Sequence, residues 1–420
     1  MLKKYFLISS VLLGSFGLNA QTHQKCYAHE IHKKAMDNNP SVRQKQSNLE
    51  QATKNYVANV GTNRNSGTIL TIPVVVHIIH NGEAYGTGAN IHDSLVFKQI
   101  NRLNEDFRKT NSDTLPSTHP FNSLQADCEI EFCLASIDEN GNSTTGITRS
   151  NEMSASWNIS DIDNIIKPKT IWNRYDYLNL WCINLVDASA PGVDGYATFP
   201  SSTTDSTDGV VVANFAFAKD GFSGGKSIVA THEIGHYMNL LHIWGDNQPN
   251  CGNDSVADTP PAYASNSGCP TFPYSPNDSC GTNANGQMFM NYMDYSDASC
   301  TVMFSNGQKN RMLATLTTVR NSLTISGKCG SLSSISEDKI NNDFTIYPNP
   351  NNGNFTINAS KINNKNTTVF VYNSIGKVVK TFSAVNFPAE INLENLEQGV
   401  YFVSFKSKNS LITKKVHIVK

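Results

Sequence analysis

The apolar positions change their period along the chain, and each change marks an element. "TILTIPVVVHIIH" carries Val74, Val75, Val76, Ile78 and Ile79 as a nearly continuous run, the pattern of a buried strand. "DSLVFKQINRLNEDFRK" then places Leu95, Ile100, Leu103 and Phe107 at helical spacing. "CEIEFCLASI", "YLNLWCINLV" and "DGVVVANFAFA" predict three more strands, and "GKSIVATHEIGHYMNLLH" predicts a long helix. This order predicts an α+β fold, with a mixed sheet backed by two helices. Residues 247–300 are crowded with Asn, Asp, Ser, Gly and Pro and predict an irregular region. "SNGQKNRMLATLTTVRNSL" predicts a closing helix.

The flanks differ in character. "MLKK", then "YFLISSVLLGSFGL", then Leu18-Asn19-Ala20 read as a secretory signal peptide over residues 1–20. That apolar run is short for a membrane span, so no transmembrane anchor is expected. Residues 21–65 are polar, with weak helical periodicity and little to form a core, and stop at "GTNRNSG". They predict a pro-segment or leader, with an activating cut near Arg64. Residues 66–330 form the main domain, and 331–343 ("SLSSISEDKINND") a polar linker. Over residues 344–420, "FTIYP", "TTVFVYN", "GVYFVSFK" and "TKKVHIVK" alternate between Asn/Gly/Pro turns, which predicts a small all-β sandwich.

Only 16% of the 420 residues are charged and the net charge is −2, so nothing favours nucleic acid or an anionic membrane as partner. Export gives the nine cysteines a meaning. In an oxidising compartment the eight from Cys128 to Cys329 are expected to form disulfides, and their spacing lacks the CxxC pairs of a zinc ribbon. Cys133 and Cys182, in neighbouring predicted strands, are one expected bridge. Cys251, Cys269, Cys280 and Cys300 allow three pairings. Cys26 stands alone.

The chemistry concentrates in "THEIGHYMNLLHIWGD". His232 and His236 lie four apart, on one face of a helix, and can ligate one ion; Glu233 sits beside the first, placed to take a proton from a bound water. His242 cannot share that face unless the helix ends. Asn239, a residue type tolerant of the left-handed conformation, marks the expected turn, with an unbroken helix as the alternative. Asp254, Asp258 and Thr259 offer hard oxygens suited to calcium, or simply solvated loop acids.

The pattern HExxHxxNxxH resembles the metzincin signature, and "NYMDYSDASC" follows it with Met293 and Tyr295. Together with "TIPVVVHII", "FCLASIDENGNSTTGITR", "YLNLWCINL", "GYATFP" and "FSNGQKNRM", residues 70–325 resemble the pappalysin family of metzincins, its bacterial members especially. The resemblance implies a secreted zinc endopeptidase with an upper sheet-and-helix subdomain, a lower irregular one and a cleft between. It implies His232, His236 and His242 as zinc ligands and Glu233 as base toward a zinc-bound water. Tyr295 would meet the oxyanion, and Met293 would form the methionine turn. It implies Cys251–Cys280 and Cys269–Cys300, which leaves Cys128–Cys329 by elimination. Substrate would lie extended along "VVVANFAFA". Relatives bind calcium near Asp254, Asp258 and Thr259, and in some a cysteine caps the zinc of the zymogen, a role open here to Cys26 or to Asp37. Relatives that cut beside arginine carry an acid where Ser299 stands, with Asp297 nearby, so a basic preference does not follow.

The C-terminal stretch resembles the sorting domain of the type IX secretion pathway of gram-negative bacteria. That implies export through the periplasm and outer membrane to the surface or medium, with the secretion machinery as a partner beside protein substrates. Two competing readings are a non-catalytic zinc-containing adhesin on the same fold and a site whose third ligand is a downstream acid. Retention of Glu233 with all three histidines argues against the first, and the Met293–Tyr295 pair against the second.

Overall fold

Helices α1 (Ala28–Asn38) and α2 (Pro40–Asn59) open the part of the chain that the computed structural model describes. It covers residues 26–59, 68–222, 225–246, 250–275, 280, 285–329, 345–359, 367–373, 378–407 and 410–420; the signal peptide, the expected cut near Arg64 and the 331–343 linker lie outside the described residues. Val42, Leu49 and Thr53 line one face of α2 and are buried. They are too few for a core of their own, so the face is stable only against a surface built by the rest of the chain.

Strand β1 (Leu70–His80) is buried along most of its length, because parallel neighbours flank it on both sides and both faces are covered. On one side β2 (Ile130–Leu134) and β3 (Ile147–Asn151) pair with it end to end; on the other lies β4 (Leu178–Ile183). Helix α3 (Asp93–Phe107) connects β1 to β2, and the short turns α4 (Ile159–Asp161) and α5 (Lys167–Thr170) precede β4. The sheet is mixed: β4 pairs in parallel with β6 (Val210–Ala213), and β6 pairs antiparallel with β5 (Gly195–Ala197) at the edge.

This order corrects the expected substrate strand. "VVVANFAFA" contributes β6, which has partners on both sides and no free edge. The edge is β5, three residues within "GYATFP" and too short to show a period. A small hairpin, β7 (Asp220–Phe222) with β8 (Gly225–Lys226), leads into α6 (Val229–Tyr237). Val74, Val76, Ile100, Leu103, Phe107, Trp181, Val211, Ile234 and Met293 share one core. Burial of each such side chain contributes about 1.5–3 kcal/mol. Helices α7 (Asn306–Thr317) and α8 (Asn321–Ile325) close the domain, α7 beginning with a capping box of Ser305 and Gln308.

The bridge expected between Cys133 and Cys182 does not form. β1 separates their strands, and Cys133 stands opposite Pro73 while Cys182 stands opposite Ile78, so their backbones lie roughly 20 Å apart, beyond the reach of a disulfide. Cys133 is bonded instead to Cys329, with Cα atoms 5.8 Å apart, so Cys128–Cys329 is also corrected; Cys128 and Cys182 are buried free thiols. Cys251 is bonded to Cys280 and Cys269 to Cys300, which staples the irregular region.

The C-terminal region is all-β. β9 (Thr345–Tyr347), β10 (Asn354–Asn358) and β13 (Ala389–Asn392) form one antiparallel sheet. β11 (Thr367–Asn373), β12 (Val378–Val385), β14 (Gly399–Ser407) and β15 (Ser410–Ile418) form the other. Phe355, Ile357, Val369, Val371, Val403 and Val416 fill one core of their own. No helix among the described residues is long and apolar enough to cross a membrane.

Candidate metal centre and active site

Helix α6 presents His232 and His236 one turn apart and then stops at Tyr237. Asn239, with φ at 71°, turns the chain so that His242 comes back toward the first two rings. Each Nδ1 faces an acceptor: the Tyr292 carbonyl for His232 at 2.7 Å, the Leu240 carbonyl for His236 at 2.8 Å, and Asp246 Oδ1 for His242 at 2.5 Å. A carbonyl or carboxylate only accepts, so each Nδ1 carries the proton and each Nε2 presents a lone pair. The three Nε2 atoms lie 3.1–3.2 Å from one another. Three converging lone pairs give one another no proton and repel, an arrangement that a cation stabilises. Ligand nitrogens around a tetrahedral zinc at ~2.1 Å lie about 3.4 Å apart, so the donor set fits that ion. Burial, with His242 and His232 alongside, holds His236 well below its ordinary pKa and keeps it neutral, as a ligand must be.

Glu233 follows the first ligand and is fully buried. Burial pushes its carboxyl well above the usual range, and Oε1 has no hydrogen-bond partner among the described residues. Met293 lies directly beneath α6. A Cβ at Gly235 would overlap its sulfur, so "HEIGH" needs glycine there for packing rather than for conformation. Gly235→Ala is expected to cost about 1–3 kcal/mol through overpacking. A thermal midpoint equal to wild type would contradict that contact.

Tyr295 stands edge-on to His242, with ring centroids 4.9 Å apart. Burial holds its phenol well above the ordinary pKa, so it remains a donor. Its hydroxyl donates to the Cys26 carbonyl at 3.4 Å, and Tyr27 N–H donates to the Gly195 carbonyl of edge strand β5 at 3.2 Å. Cys26 and Tyr27, just before α1, therefore lie alongside edge strand β5, Cys26 forming a parallel bridge with Gly195. Cys26 Sγ is 3.4 Å from Glu233 Oε2 and, with the three histidines, forms the one cluster of potential metal-ligating side chains found among the described residues. Asp37 lies elsewhere, in an exposed pair with Lys33.

The other expected ligands have protein partners. Thr259 Oγ1 donates to Asp254 Oδ1 at 2.7 Å, while Asp258 accepts from Ser305 Oγ and Gly307 N–H at the start of α7. Ser299 Oγ sits on the Cys269 sulfur at 3.0 Å. Three contributors escaped the sequence reading. Asp246 orients His242, a role that a carboxylate four residues after a ligand hints at. Glu50 of α2 pairs with both terminal nitrogens of Arg311, whose Nε donates to the Asn239 carbonyl at 2.6 Å. Asp106, far off in sequence, left no signal at all.

The sheet, the three-histidine cluster and the methionine packed beneath it fit a metzincin-type metallopeptidase. The peptidase M43 profile, described as pregnancy-associated plasma protein-A, matches residues 161–317. The profile of the secretion system C-terminal sorting domain matches residues 345–420. An extracellular metalloprotease of Pyricularia oryzae is 30% identical over 251 residues, 58% of this chain and 74% of the relative. One from Verticillium alfalfae is 31% identical over 262 residues, 60% and 77%. Mature mirolysin of Tannerella forsythia in complex with a cleaved peptide is 41% identical, over 62% of this chain and 97% of that one, with a TM-score of 0.56. A promirolysin variant is 36% identical, over 72% and 97%, with a TM-score of 0.63. The chain belongs to the M43, or pappalysin, family and ends in a type IX sorting domain: it is a secreted metalloprotease.

Proposed function

We propose that the chain is a zinc endopeptidase made as a latent precursor, with residues 21–65 as pro-segment, 66–330 as catalytic domain and 344–420 as the module read by the secretion machinery on the way through periplasm and outer membrane. The observation that carries this is the convergence of three Nε2 atoms whose Nδ1 atoms are all bound to acceptors. His232, His236 and His242 would hold the ion. Zinc, when bound, lowers the pKa of a water toward ~7 and polarises a carbonyl.

The chain's own residues do the rest. β5 binds the substrate backbone in extended form, as Gly195 does for Tyr27. Glu233 takes the proton of the attacking water and hands it to the leaving amine, and burial supports the second half by favouring its protonated form. Tyr295, held protonated, donates to the oxygen that gains charge, from the position where it now meets the Cys26 carbonyl.

The test uses processed protein freed of Cys26. One zinc per chain and cleavage of casein are expected, both lost in His242→Asn. A zinc-depleted sample that still cleaves at the wild-type rate would overturn the reading.

A further inference from the structure

We propose that Asp106, at the end of α3, is a positioning residue that holds the first metal ligand, His232, from both sides. The inference rests on the metal centre proposed above. Asp106 is 2% exposed and uses both carboxylate oxygens. Oδ2 accepts from Thr231 Oγ1 at 2.6 Å, and Thr231 immediately precedes His232 on α6. Oδ1 accepts from the Tyr292 hydroxyl at 2.9 Å. The carbonyl of that same Tyr292 accepts from His232 Nδ1 at 2.7 Å. One carboxylate thus ties down the backbone that carries the imidazole and the residue that sets its tautomer and ring direction.

Two features mark this as more than packing. Arg102, one turn earlier on α3, is 3.0 Å from Asp106 Oδ1 and opposes the burial that pushes this carboxyl up to about 6, so that at neutral pH the acceptor at the junction of three elements is charged. Bonds to a charged acceptor are stronger and shorter than those between neutral groups. Tyr292 is also fixed by Asn111 Nδ2, 3.4 Å from its hydroxyl, so the residue before Met293 cannot drift without breaking the Asp106 contact. Groups that orient a histidine ligand typically tune metal affinity 10–100-fold. Asp106 acts one bond further out, so about tenfold is expected.

The experiment measures zinc transfer to a competing chelator, and separately thermal unfolding of the metal-free protein, for wild type, His232→Asn, Asp106→Asn and Tyr292→Phe. Tyr292→Phe removes one hydroxyl and keeps the shape, so it remains informative if the buried charge change at Asp106 prevents folding. Expected are a zinc affinity about tenfold lower in Asp106→Asn, a smaller loss in Tyr292→Phe, which breaks only one of the two contacts, and a double variant no worse than Asp106→Asn. A structural role alone would lower the unfolding midpoint and leave zinc affinity unchanged, which overturns the inference. Wild-type affinity in both variants overturns it as well, provided that His232→Asn has lost its zinc. If His232→Asn keeps zinc as wild type does, the metal centre itself is wrong.

Discussion

Glu233→Gln is expected to lower kcat of the processed enzyme on the order of 10³–10⁴-fold while leaving its zinc content and KM nearly unchanged. Glutamine keeps the volume and one carbonyl oxygen but has no basic site for a proton. At this position that matters because Glu233 is fully buried on α6 between His232 and His236, with an oxygen that nothing among the described residues satisfies. A carboxylate left so costs stability, which a core position would not retain without a use. Burial also raises its pKa, as a group needs that must hold a proton between abstraction and delivery. The measurement is steady-state cleavage of a quenched peptide beside elemental analysis of the same sample. A variant within tenfold of wild type at equal zinc would remove Glu233 from the chemistry. A variant that has lost its zinc would make the residue a support for the site instead.

What the sequence allowed was local. That His232 and His236 meet was legible because helix geometry alone brings residues four apart to one face. Asn239 was legible because few side chains accept a positive φ, and 71° is what it adopts. β1 and β4 were legible because strands covered on both faces become continuous apolar runs. What stayed hidden depends on contacts distant in sequence. Edge strand β5 is three residues long and carries no period. The Cys133–Cys329 bridge spans 196 residues, and only the strand order, with β1 between β2 and β4, excludes Cys182. Helices α1 and α2 looked coreless because their apolar face is completed by the domain they cover. Asp106 reaches Thr231 across 125 residues, and no local pattern encodes such a contact.

Cys26→Ser is expected to release activity in the uncut precursor. The Cys26 sulfur lies within 4.8 Å of the three histidine nitrogens, so on an ion held there its thiolate would take the fourth position, and its carbonyl occupies Tyr295. A serine hydroxyl keeps the shape but binds zinc poorly, because zinc prefers thiolate sulfur to a neutral hydroxyl. Every 1.4 kcal/mol of lost docking energy raises the open fraction tenfold, so losing about 3 kcal/mol raises precursor activity ~100-fold. The release should not be complete. Glu50 still holds Arg311, which is 2% exposed, and Gln46 still bonds Ser201 at 2.7 Å, so α2 remains docked after the sulfur is gone. Glu50→Ala should therefore activate less by itself, since Cys26 still blocks the centre, but should add to Cys26→Ser in the double variant. Peptide cleavage by uncut precursors, with intactness followed on a gel, measures all three. If Cys26→Ser stays as silent as wild type until cut, latency comes from α1 and α2 covering the cleft, and the sulfur is incidental. If Glu50→Ala alone matches the double variant, the pro-segment is held by the Arg311 pair and Cys26 merely follows it.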